Sequence, residues 1–150
     1  MKIRLLLIAV LLVIPSAMTL RAEGPKKEHK EETELEGKMG VMGSAFRKLR
    51  GQIEDATKNP ESLELIAKMR AMAEEALKLT PAKTADEPPA DRAKFVDAYQ
   101  TKMKGLIEKL GKLEALLTAG NNAEAAKLIA DIRAFQKEAH KQFERPEEKR

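Results

Sequence analysis

Apolar residues recur along most of this chain at the three-and-four spacing of a single helix face. Leu35, Met39, Met42, Phe46, Leu49 and Ile53 stand at successive intervals of 4, 3, 4, 3 and 4, which lines one edge of an α-helix. Thr33 and Glu36 form a capping box, a hydroxyl and a carboxylate that satisfy each other's orphan amides. The first helix is therefore predicted to open there and to end near Lys58. Asn59-Pro60 reads as a cap followed by a proline in the first turn, where its missing N–H costs nothing. The second helix then carries Leu63, Ile66, Met69 (or Arg70), Ala73 and Leu77 and stops at Thr80-Pro81. Prolines at 81, 88 and 89 mark residues 81–90 as the one long connection.

A third helix from about Asp91 buries Phe95, Tyr99, Met103, Leu106, Leu110, Leu113 and Leu117. It closes at Ala119-Gly120, with glycine supplying a left-handed turn. Asn122 is expected to cap a fourth helix, which shows Leu128, Ile132, Phe135 and Ala139 and ends before Pro146. Nothing alternates at period two, and β-branched residues are few. The fold class is all-α. Short links after the first and third helices make neighbours antiparallel, so residues 33–145 are predicted to form an up-down-up-down four-helix bundle.

The first 22 residues stand apart from that pattern. Lys2 and Arg4 precede an apolar run at 5–14, followed by Pro15, Ser16, Ala17 and later Ala22. This is the layout of a cleaved signal peptide, and the run is shorter than the roughly 20 residues that cross a bilayer. Cleavage after Ala22 or after Ala17 fits equally. No stable membrane anchor is expected once the segment is gone. Residues 23–32 are almost all charged and read as a disordered leader, and 146–150 as a tail. Removing 1–22 takes away Lys2, Arg4 and Arg21 and no acid, so the formal charge falls by three from +4 to +1. The remaining charges of both signs are interspersed, as on a solvated helical surface, and nucleic acid is not an expected partner. The chain has no cysteine, which excludes disulfides and thioether-linked haem.

Two side chains of the bundle could carry chemistry together. Met39 lies one to two turns inside the first helix and His140 about one turn from the end of the fourth, so both belong to the same end of an antiparallel bundle. A thioether and an imidazole are a pair that holds haem iron from both faces. The apolar neighbours of a flat cofactor there would be Met42, Phe46, Met69, Phe95, Tyr99 and Phe143. Taken singly, the two have plainer explanations. A methionine in a heptad stripe is ordinarily core filler, and a histidine at the edge of an apolar face is commonly structural. The other histidine, His29, falls in the charged leader.

Four runs in order across the domain resemble the cytochrome b562 family. Leu35-Glu36-Gly37-Lys38-Met39 is similar to its Leu-Glu-x-x-Met opening. Lys68-Met69-Arg70-Ala71-Met72-Ala73, with Leu79-Thr80-Pro81, is similar to its second helix and following loop. Lys94-Phe95-Val96-Asp97-Ala98-Tyr99 resembles its two-aromatic run, and Ala139-His140-Lys141-Gln142-Phe143 its closing His-x-x-aromatic run. The resemblance implies Met39 and His140 as axial ligands of one non-covalent haem b, in a periplasmic electron carrier that meets unidentified redox proteins and is itself a monomer. With both axial positions filled, iron has no open site for oxygen or peroxide, so an enzyme is not expected. Methionine opposite histidine raises the reduction potential.

Some positions depart from the family. Gln136 stands where an arginine is common, leaving Arg133 and Lys137 as candidates to meet the propionates. Tyr99 replaces a usual phenylalanine and brings a hydroxyl that needs a partner when buried. Gly37 and Gly40 flank Met39, and glycine weakens a helix by about 1 kcal/mol relative to alanine, so fraying is expected there without cofactor. Two other readings compete. One is a haem-free exported bundle acting as a binding or stress-adaptor protein. The other is a mononuclear metal site built on His140 and nearby acids.

Overall fold

The computed structural model describes residues 33–145. The expected signal peptide, charged leader and tail lie outside the described residues. Four helices follow one another: α1 (Glu34–Gln52), α2 (Asn59–Ala76), α3 (Arg92–Thr118) and α4 (Asn122–Phe143). Short 3-10 turns at Ala56–Lys58 and Ala82–Asp86 sit in the first two links, and no strand occurs among the described residues. No helix among them is long and apolar enough to cross a membrane.

Ties between side chains fix the antiparallel register. Early α1 meets late α2 through Lys38 and Glu75, and late α1 meets early α2 through Lys48 and Glu61. Early α3 meets late α4 through Lys102 and Glu138, at 3.3 Å. The all-α, up-down-up-down antiparallel bundle is thus the observed architecture. Its core runs the length of the helices through Leu49, Ile66, Met69, Leu110, Leu113 and Ile132, all fully buried. The backbones of α1 and α2, α2 and α3, and α3 and α4 approach closely, whereas those of α1 and α4 run farther apart. At Gly105 the α3 backbone comes so near α4 that a Cβ would lie 3.3 Å from the Phe135 ring.

The Thr33–Glu36 capping box forms as expected. So does the left-handed turn: Gly120 has φ +74°, and the Asn121 and Gly120 amides donate back to Leu116 and Leu117 carbonyls, the double closure of a Schellman motif. Other boundaries differ from expectation. α1 stops at Gln52, six residues before Lys58, because the Asp55 carboxylate accepts from the Thr57 amide and hydroxyl and turns the chain into the first 3-10 turn. α2 ends at Ala76 rather than Thr80.

Asn59 and Asn122 also differ, since neither is the cap of its helix. The Asn122 amide donates to the Ile53 carbonyl at 2.6 Å and pairs with Asn59, whose own amide reaches the Leu117 carbonyl at 3.3 Å. Two side-chain amides thereby knot together the ends of all four helices. Beside Met39, α1 runs unbroken through Gly37 and Gly40.

Candidate functional site

The opposite end of the bundle gathers the residues singled out from the sequence. Phe143, on the last turn of α4, is buried and meets two rings of α3 edge-on, Phe95 at 5.2 Å and Tyr99 at 5.6 Å between centroids. Such edge-to-face pairs contribute about 1 kcal/mol beyond the area they bury. Met42, Phe46, Met69 and Tyr99 are buried in the same core, and Met39 and Phe95 are half-buried against it. The candidate lining residues thus all belong to the one apolar core or pack against it, Met39 among the partly buried ones.

The buried hydroxyl finds its partner: Tyr99 donates to the Ala76 carbonyl at 2.8 Å, at the last turn of α2. Burial pushes its pKa up to about 12, against about 10 for an unfolded tyrosine. The folded chain holds this proton more tightly. Its contribution is complete below about pH 10 and is lost as pH rises toward 12. Tyr99→Phe is expected to cost about 1 kcal/mol near neutrality for the missing hydrogen bond, and to abolish that alkaline loss. Urea unfolding at neutral pH and above pH 10 checks both.

His140 lies at the same end as Met39 but is set differently. Its side chain is 53% exposed, and Nδ1 lies 2.5 Å from Glu144 Oε1, one helical turn on. The turn that carries it is anchored to the link between α2 and α3. Arg145 donates to both oxygens of Asp86, at 2.6 and 2.8 Å, and to the Ala82 carbonyl, while Lys83 reaches the Gln142 carbonyl at 2.7 Å. The Arg145 guanidinium holds the Asp86 carboxyl below its ordinary range. Glu144, Arg145, Lys83 and Asp86 were not among the sequence candidates. They pair mostly across some sixty positions and leave no local periodicity to read.

The donor set suits a haem iron: a thioether and an imidazole at one end of the bundle, on α1 and α4, beside an apolar core. It does not suit a bare metal ion, since no group of three or more His, Cys, Asp or Glu that could hold one occurs among the described residues. Arg133 and Lys137, the candidates for propionates, lie instead along a groove of about 920 Å³ between α4 and the end of α1. Arg50, Ile53 and Ile129 share its walls. The groove begins a turn before His140 and runs away from it.

One family model, described as cytochrome b562, matches residues 34–144. No curated protein matches the chain.

Proposed function

The chain belongs to the cytochrome b562 family, whose members are small haem-binding helical bundles, and from that premise we propose that it is an exported, soluble one-electron carrier holding one non-covalent haem b between Met39 and His140. The observation that supports this is the placement of both donors at one end of the bundle, on α1 and α4, with His140 Nδ1 occupied by Glu144 and Nε2 left over for a metal. When bound, the haem iron supplies reversible one-electron chemistry. Met39 offers its sulfur from the edge of the core. Phe95, Tyr99 and Phe143 form an apolar flank that excludes water and favours the less charged ferrous state. Export follows from the basic and apolar start of the sequence, and the periplasm is the compartment proposed.

The test is a titration of the purified chain, lacking residues 1–22, with haemin. A sharp Soret band and split α and β bands on reduction, at one haem per chain, are the expected result. A haemin spectrum that stays that of the free compound would overturn the reading and leave the haem-free adaptor in its place.

A further inference from the structure

Glu144 stands in an unusual relation to His140, because it is tied to that residue twice. It is the C-cap of α4, and its backbone N–H donates to the His140 carbonyl at 2.9 Å. Its side chain meanwhile curls back to meet Nδ1 at 2.5 Å. A carboxylate only accepts hydrogen bonds, so the ring nitrogen that faces it carries the proton. In the neutral ring the second nitrogen, Nε2, then keeps its lone pair. The backbone beneath is held in turn by the Arg145–Asp86 and Lys83–Gln142 ties, which fix the last turn of α4 against the link between α2 and α3.

We propose that Glu144 is a positioning residue for His140: it selects the tautomer that presents Nε2 to the haem iron and, through its negative charge, lowers the reduction potential of the bound cofactor. The inference rests on the Met39/His140 reading above and deepens it. The physical cause is general. A carboxylate that accepts the far N–H of a ligating imidazole fixes the ring's orientation and makes it a stronger donor, and a stronger donor favours the ferric state. With haem bound, Glu144 would thus offset the effect of Met39, whose thioether would favour the ferrous state. The chain balances one against the other. Exposure limits the effect, because the side chains of His140 and Glu144 are 53% and 60% exposed and water screens their interaction.

Three variants and two readouts test this. Glu144→Gln keeps an acceptor and removes the charge, Glu144→Ala removes both, and Glu138→Gln removes a charge two residues from His140 that pairs instead with Lys102. In the haem-free chain, nitrogen NMR of neutral His140 is expected to show the Nδ1–H tautomer, shifting toward Nε2–H in Glu144→Ala. In the haem-loaded chain, Glu144→Gln is expected to raise the ferrous-to-ferric ratio at fixed potential by up to about tenfold, ~59 mV for one electron. Glu138→Gln is expected to leave that ratio where the parent has it. An Nε2–H ring in the parent, or equal shifts from Glu144→Gln and Glu138→Gln, would overturn the proposal. A parent chain that binds haemin without a six-coordinate low-spin spectrum would sink the Met39/His140 reading itself, and this proposal with it.

Discussion

His140→Ala is expected to lower haem affinity by about 100-fold or more and to remove the low-spin spectrum. The size follows from a comparison. Loss of a group that merely supports a metal ligand typically costs about 10- to 100-fold in metal affinity, and the ligand itself carries more than its support. Met39→Ala is expected to be milder, on the order of tenfold. The thioether is the weaker donor, and the buried apolar core with Met42, Phe46 and Phe143 persists without it. Its signature is spectral: a five-coordinate, high-spin haem still held from the histidine side. Haemin titrations of the two variants, followed through the Soret and charge-transfer bands, separate these outcomes. Two variants that keep the parent's spectrum and affinity would show that the iron is held elsewhere.

The second large effect concerns Phe143. Phe143→Ala is expected to destabilise the haem-free chain by about 3 kcal/mol, the lower part of the range for removing a buried aromatic ring, because the residue sits at the bundle's end and retains 8% exposure. It removes both edge-on ring contacts and the only buried side chain in the last turn of α4. Leu110→Ala, at a fully buried position of α3, is the matched control and is expected to cost about 2–5 kcal/mol. Urea unfolding reads both. Haem affinity distinguishes them: it is expected to fall with Phe143→Ala, which loosens the turn carrying His140, and to hold in folded Leu110→Ala. Equal haem affinities in the two would mean that the C-terminal turn of α4 takes no part in the site.

The bundle was legible in the sequence because its helices announce themselves locally. The stripe from Leu35 to Ile53 and the capping box at Thr33 need no partner elsewhere in the chain, and the glycine at 120 marks its own turn. The face of α4 was read less well. Its buried positions are Ala125, Ile129, Ile132 and Phe143, while Leu128, Phe135 and Ala139 sit half-buried beside them. The sequence pattern alone does not separate the buried Ile132 from the flanking Leu128, Phe135 and Ala139. Phe135 is displaced to the flank because it fills the space that Gly105 leaves on α3, and the aromatic ring there also meets Lys102 at 4.5 Å.

Helix ends were misplaced for a related reason. Asn59 and Asn122 look like caps in isolation, but the nearness of Ile53 and Leu117 gives their amides better partners across the fold. Of the site, the residue types and the shared end of the bundle were readable. The tether on His140 was not, because its meaning depends on where Glu144 turns at the end of α4 and on the grip of Asp86 upon Arg145.

The wider spacing of the α1 and α4 backbones bears on how this molecule comes into being. Every tight helix pair is made of consecutive segments, so no early step requires distant parts of the polypeptide to find each other. Low mean sequence separation of contacts is the mark of chains that assemble in microseconds to milliseconds. A haem held between Met39 and His140, as proposed above, would add one more link between the first and last segments beside the Asn122–Ile53 hydrogen bond, and would add it after assembly. Its influence would then fall on how slowly the native state comes apart rather than on how quickly it forms: the prosthetic group would set the protein's lifetime, and the polypeptide its birth rate.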